Sequence, residues 1–451
     1  MPYSPPDSLT NRAEGVLLAT LLCAYGLVLL VRLLGRSRPE FRPANPLAAA
    51  FALRVAAIGA VAASGLGATL RGGDELGFVA NARLIASLPF SSGLWVPGGT
   101  YNLHEVVFAL QLKLGDLGES ALRVTQVGIS VCGLLLLAAA VHDLAGPRPG
   151  RLVLWLLALE PASIFFSQIL HKEPLMVLAS GLVALGGARA WRKVDAQALA
   201  ILAAGSAVAI LTRPYAGWFL ASAAVAIVLH ATVRDATRSL SAFAVLVGVL
   251  IGIAAAVPVI VQVTSKESLQ ANLQPSQTAN TTTATAPTSG PNANNLALES
   301  VDYSTRSAII TNLPIRISDL VLRPYPWQLA NTSEQLGVLG TLVAFATLVA
   351  LLRYGMLARR SLVRLVGPLL YPLGFLLIAY ALSVGNAGTG FRYRSHLVTL
   401  GLAVAVVLRE YCLAAAPQVL RTRSADAVRG NGVVAVGPRP ARARGWPRRL
   451  A

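Results

Sequence analysis

Charge is what this chain of 451 residues most lacks: 13% of it is Asp, Glu, Lys or Arg, about half of the ~25% usual for a soluble domain. With 55% of the residues apolar and a mean hydropathy of +0.62, a soluble fold has too little polar surface to cover its interior. A water-soluble enzyme or nucleic-acid binder is thereby excluded. Cysteine is almost absent. Cys23, Cys132 and Cys412 stand far apart with no metal-ligand spacing, so neither a disulfide framework nor a metal cluster is implied. No Gly-rich phosphate loop is present. Lysine is scarce as well, with 4 among 38 basic residues. Together with the wealth of Ala, Gly and Arg, this fits a GC-rich bacterial genome.

What the chain has instead is long apolar runs. A membrane helix needs roughly 20 apolar residues, and runs delimited by charge, Gly or Pro predict eleven spans. They lie at about 15–31, 47–70, 124–141, 152–168, 174–190, 197–212, 214–230, 240–262, 335–352, 365–384 and 397–408, the last running on towards Ala415. The expected fold is an all-α polytopic membrane protein of about 11 transmembrane helices. The first run is not a cleavable signal. It lacks a basic start and a small-residue exit, and Arg32, Arg36, Arg38 and Arg42 follow it like a stop-transfer flank.

The net charge of +18 would suggest nucleic acid in a soluble protein; here its sidedness matters more. With the N-terminus outside, the loops at 32–46, 142–151, 191–196, 231–239 and 353–364 and the tail from 409 fall in the cytoplasm. They and Arg189 hold 24 Lys and Arg, against 13 in the external segments. That is the positive-inside bias expected of a multi-pass bacterial plasma-membrane protein with a cytoplasmic C-terminus. Residues 412–451 are expected to be a basic, disordered tail near anionic lipid rather than a nucleic-acid binder. Two external segments, about 71–123 and 263–334, exceed mere connectors. The second opens on a polar low-complexity stretch from Gln274 to Asn295.

The first external segment carries Arg71-Gly72-Gly73-Asp74-Glu75, then Leu76, Val79, Ala82 and Ile85 at helical spacing. Gly72 and Gly73 allow a turn, after which an amphipathic helix would lie along the interface. A second amphipathic segment, about Leu103 to Leu114, begins with His104-Glu105. Read structurally, Asp74 is an N-cap beside a solvated neighbour. Read chemically, it is a general base whose pKa partial desolvation would raise.

Glu160-Pro161 interrupts the fourth run near its middle. A carboxylate at that depth needs a partner or a water-filled cavity, and the proline frees a backbone carbonyl. That run ends in His171-Lys172-Glu173-Pro174, which is either an ordinary solvated turn with Pro at the helix start or an edge of an active site. Arg213-Pro214-Tyr215 and Phe391-Arg392-Tyr393-Arg394-Ser395-His396 mark two further external boundaries. Tyrosine there anchors many membrane proteins, whereas arginine fits phosphate oxygens bidentately.

The order of these features is more specific than any one of them. An acidic pair after a span, a later acidic-Pro hairpin, an Arg-Pro-Tyr boundary and an Arg-Tyr motif opening the last span resemble the GT-C class of membrane glycosyltransferases. Within it they are most similar to bacterial relatives of the protein O-mannosyltransferases and aminoarabinose transferases. The resemblance covers about residues 47–411, and residues 1–46 look like an added helix and basic loop. It departs at Asn102-Leu103-His104-Glu105, where the family commonly has a Lys-Pro-Pro-like element.

The resemblance implies a polyprenyl-phosphate sugar as donor and an envelope glycan, lipid or protein hydroxyl as acceptor, on the external face. It implies that Asp74, with Glu75, is the catalytic carboxylate. Arg392, Arg394, Arg213, Lys172 and His171 would meet the lipid phosphate, and Glu173, His104, Glu160 and Tyr393 would orient substrate. Inversion at the anomeric carbon follows from a single displacement. Some members of the class use a divalent metal and others do not. Asp74, Glu75, Glu160 and Glu173 could supply oxygens to one, but nothing in their spacing demands it. Two other functions fit parts of the pattern: a polysaccharide polymerase or ligase of the envelope, and a secondary transporter or lipid flippase built on the break at Glu160.

Overall fold

The computed structural model describes residues 9–64, 67–115, 117–236, 306–323, 332–384 and 387–430. Among these residues the regular structure is helical throughout, without strands. The run at 240–262, the low-complexity stretch, most of the segment 263–334 expected to be external and the chain beyond 430 lie outside the described residues.

Among the described residues, eight helices are long and apolar enough to cross a membrane. In our numbering they are α1 (Leu9–Ser37), α2 (Ala44–Ala63), α5 (Gly118–Ala145), α8 (Glu173–Arg192), α10 (Pro214–Ala236), α12 (Thr332–Leu357), α13 (Leu362–Ser383) and α14 (Ala387–Gly430). The chain is thus a polytopic helical membrane protein. Between them stand α3 (Gly67–Ser87), α4 (Leu103–Leu114), α6 (Pro147–Leu159), α7 (Pro161–Phe166), the shorter apolar α9 (Ala196–Thr212) and α11 (Arg306–Leu322).

Side-chain contacts sort the connections into two ends. At one end Arg38 Nε donates to Asp143 Oδ1 (2.8 Å) and Arg192 pairs with the same carboxylate (2.8 Å). Trp191 Nε1 donates to the carbonyl of Arg364 (2.9 Å), and Arg234 to that of Trp191 (2.6 Å). All five loops expected on the basic side therefore meet. At the other end lie α3, α4 and the 167–172 hairpin. The paired α6–α7 and the lone α9 each join the two ends. At the centre, α5 and α8 cross backbone to backbone: a Cβ on Gly181 would lie 2.3 Å from the carbonyl oxygen of Gly133.

The structure departs from expectation in three places. The second run stops at Ala63, and the chain re-enters a separate helix at Gly67. Gly72 and Gly73 are inside that helix and make no turn, so Asp74 is mid-helix and no N-cap. Burial of Val79, Ala82 and Ile85 against Phe108, Ala109, Leu122 and Leu170 outweighs the ~1 kcal/mol that each Gly costs a helix; Leu76 is left on the exposed face. The fourth run is two helices, since Pro161 has no N–H to continue α6. The last helix continues to Gly430, so residues 412–430 are helical and the expected disordered tail does not begin at 412. By contrast, α4 occupies the anticipated Leu103–Leu114, started by Glu105, whose Oε2 accepts from the N–H of Asn102 (2.8 Å).

Candidate functional site

Four segments far apart in sequence converge at the end opposite the basic loops. The hairpin between α7 and α8 is no solvated turn. Ser167, Gln168, Leu170, His171 and Glu173 are all buried. Glu75 of α3 holds it: its carboxylate pairs with Arg123 of α5, and Oε2 accepts from the N–H of Leu170 (3.3 Å). Arg123 also donates to the carbonyl of Gln168 (3.2 Å). Glu75 is therefore a buried structural ion and has no access to a reacting hydroxyl.

Beneath the hairpin, Glu173 Oε1 accepts from Arg213 Nη2 at 2.9 Å, both side chains buried. A buried carboxylate persists only with such a partner. The Arg213 guanidinium lies 4.7 Å from the centre of the Tyr393 ring. Tyr393 stacks on Tyr380 (4.5 Å between ring centres), and its hydroxyl is 2.5 Å from that of Tyr215.

Above it, Arg392 Nη1 is 3.5 Å from Asp74 Oδ2 and donates to His171 Nδ1 at 3.0 Å. Arginine cannot accept a hydrogen bond, so His171 presents Nδ1 as the acceptor. Lys172 Nζ sits 5.4 Å over the Phe78 ring. Phe78 in turn meets His104 and His171 edge-on (4.5 and 5.5 Å). Burial, reinforced by Arg213, pulls the Lys172 ammonium down to about 8. Burial, reinforced by Lys172, pushes His104 well below the ordinary imidazole value. Neither ring nitrogen of His104 has a hydrogen-bond partner among the described residues.

Helical phase separates the late motif. Arg392, Tyr393 and Arg394 are consecutive in α14, so each turns about 100° from the last. Arg392 faces Asp74, and Tyr393 faces Arg213. Arg394 turns to the end of α11, donating to the carbonyls of Val321 (3.2 Å) and Arg323 (2.5 Å), and to Thr341 Oγ1 of α12 (2.8 Å). It closes a helix end and is not placed to meet a phosphate.

Glu160 lies apart from this cluster. Its carboxylate caps α7, accepting from the N–H groups of Ala162 (3.1 Å) and Ser163. Arg54 of α2 collects the carbonyls left by the break, those of Leu157 (2.9 Å) and Ala158 (3.3 Å), and also reaches Ser163 Oγ (2.7 Å). Glu75, Glu160 and Glu173 thus serve three different partners, and the four carboxylates do not gather round one point. Among the described residues no group of three or more His, Cys, Asp and Glu could hold a metal ion.

Sequence reasoning missed Arg54, Arg123 and Tyr380. The available signal was a charged side chain within an apolar helix, which in a membrane implies a partner. The cluster as found offers a solvent-facing carboxylate, Asp74, with Arg392, Lys172 and His171 on an aromatic floor. It can meet an acceptor hydroxyl and an anion side by side. Compared with family models, curated proteins and solved structures, the chain matches none.

Proposed function

We propose that the chain is a membrane glycosyltransferase of the GT-C type, moving a sugar from a polyprenyl-phosphate donor to an acceptor hydroxyl at the external face of a bacterial plasma membrane. The observation that carries this reading is the meeting of Asp74 with Arg392 across 318 positions, beside His171, Lys172 and the Glu173–Arg213 pair. Basic loops at the other end supply the orientation, N-terminus outside and C-terminus in the cytoplasm.

Asp74 takes the proton of the acceptor hydroxyl as that oxygen attacks the anomeric carbon. The bond between that carbon and the phosphate oxygen breaks on the opposite face. The donor phosphodiester leaves as a polyprenyl phosphate with one more negative charge. Arg392 and Lys172 face the charge as it develops, and His171 fixes the Arg392 guanidinium. Glu173, Arg213 and Tyr393 form the rigid floor. Transport through the break at Glu160 is less well supported, because that carboxylate already accepts two backbone N–H groups and Arg54 takes the freed carbonyls.

The test is transfer of labelled sugar from polyprenyl phosphate by the full-length protein in proteoliposomes, wild type against Asp74→Asn. Loss of transfer in a folded variant is expected. Undiminished transfer overturns the assignment.

A further inference from the structure

A pocket lies at the opposite end of the bundle from the candidate site, and nothing in the proposed transfer uses it. One helical stripe of α10 lines it, Ala226, Leu229, His230, Val233 and Arg234, spaced i, i+3, i+4, i+7 and i+8. Tyr371 of α13 closes the other side. The cavity measures about 380 Å³, within the ~300–1,000 Å³ usual for small-molecule sites. Val233 is 50% exposed, so the cavity is open along the side of a membrane span rather than sealed in the bundle.

A tryptophan at the end of α8 fixes the polar groups of this pocket. Trp191 is buried, and Gly367 lets α13 pack directly against it, since a Cβ there would fall 2.7 Å from the indole. The His230 ring stands 4.8 Å from the Trp191 ring, and the Tyr371 hydroxyl is 2.8 Å from His230 Nδ1. A Tyr371 hydroxyl donating to Nδ1 puts the ring proton on Nε2. The Arg234 guanidinium lies 5.2 Å over the same indole and donates to the Trp191 carbonyl (2.6 Å). A long, flexible side chain is thereby held in one place before any ligand arrives.

The order of residues along the stripe decides what the pocket suits. His230 and Arg234 lie in the last two turns of α10, at the end where the basic loops meet. Ala226 and Leu229 continue the stripe into the apolar part of the span. A ligand that fits both carries an anion at the membrane boundary and hydrocarbon beneath it. A free anion would leave the apolar half unfilled, and a neutral lipid would gain nothing from the guanidinium. Arginine matches phosphate oxygens bidentately, and basic pockets between spans take anionic headgroups.

We propose that this pocket binds one anionic phospholipid from the leaflet at the basic end, with its phosphate on Arg234 and His230 Nε2 and the start of its acyl chain along Ala226, Leu229 and Val233. Bound there, the lipid ties α10 to α13.

The experiment uses the full-length protein and no sugar donor, so its outcome is separate from that of the transferase reading. The protein is held in micelles with equal amounts of phosphatidylglycerol and phosphatidylcholine, and the lipid retained per chain is counted by native mass spectrometry. Retention of about one phosphatidylglycerol, in preference to phosphatidylcholine, is expected. Arg234→Gln should weaken it about fivefold. Leu229→Trp fills the apolar half, leaves every charge in place and should abolish retention. Lys193→Gln removes an exposed cation at the same end and should leave retention unchanged. The Tm of each variant checks that it is folded. Equal retention of the two lipids, equal losses in Arg234→Gln and Lys193→Gln, or undiminished retention in Leu229→Trp would reduce the effect to surface charge and overturn the proposal. Displacement of the lipid by inorganic phosphate at constant ionic strength would make this a soluble-anion site and overturn it too. No retained lipid would leave the pocket to another part of the chain, such as the run at 240–262 that follows α10, with the same result.

Discussion

Asp74 and Glu75 are neighbours in sequence and opposites in environment: the Asp74 side chain is 64% exposed, and that of Glu75 is 4% exposed and paired with Arg123. Consecutive positions in a helix point about 100° apart, and α3 packs on α4 and α5 along the face that carries Glu75, Val79, Ala82 and Ile85. An acidic pair that reads as one motif is two devices, one facing the open cluster and one pinning the hairpin that carries His171 and Lys172.

The two carboxylates should therefore fail differently. Asp74→Asn is expected to lower sugar transfer by about 10²- to 10⁴-fold, the usual contribution of a general base, with thermal unfolding unchanged. Glu75→Gln is expected to destabilise the protein by about 3–5 kcal/mol, the cost of breaking a buried ion pair, and the added change Arg123→Met should recover part of it. Parallel unfolding curves and transfer rates in proteoliposomes check both. Equal stability of Glu75→Gln and wild type would contradict the structural assignment.

The adjacent arginines of α14 make a second contrasting pair. Arg392→Ala should reduce transfer by about 10²–10³-fold, as loss of one charge-stabilising donor does. Arg394→Ala instead strips a donor from the end of α11 and should cost about 1–3 kcal/mol for each buried acceptor left unpaired. The readouts are kcat for the first and Tm for the second. A variant of Arg394 with normal stability and poor transfer would reverse the assignment.

Lys172 should give transfer an alkaline limb. With its value drawn down to about 8, the ammonium is present below that pH and lost above it, so transfer is expected to fall as pH rises through about 8. Lys172→Arg keeps its charge and should move the limb upward. The stability term has the opposite direction. Folding lowers this pKa from the ordinary 10.5, so the folded chain carries a disfavoured charge below pH 8. That cost is relieved as pH rises from about 8 to 10.5, where the unfolded chain holds the proton and the folded chain does not. Stability of Lys172→Met relative to wild type, measured at pH 7 and pH 9.5, should show the larger gain at pH 7.

Arg54 and Pro161 form a third testable pair. Arg54→Met leaves the carbonyls of Leu157 and Ala158 without their donor and should cost about 1–3 kcal/mol for each. Pro161→Ala restores an N–H four residues after Leu157. The double variant is thus expected to be less destabilised than the sum of the two single changes. Additive losses in Tm would show that the arginine is not serving the helix break.

Much of this was present in the amino-acid order. Apolar runs located the long helices, because a bilayer accepts only segments that bond their own backbone. The loops holding the excess arginine are the loops that meet at one end, and the amphipathic period set the bounds of α4. Only the tertiary structure decided which polar residues share a site, because helical phase and packing assign each side chain a direction that a motif does not contain. Asp74, His171, Glu173, Arg213 and Arg392 come together across three hundred positions, while Glu75, Glu160 and Arg394, equally eligible by residue type, are turned inward to partners. Those partners, Arg123, the N–H groups at the start of α7 and the carbonyls ending α11, are tertiary or capping contacts. Burying charge requires them, and linear spacing cannot name them.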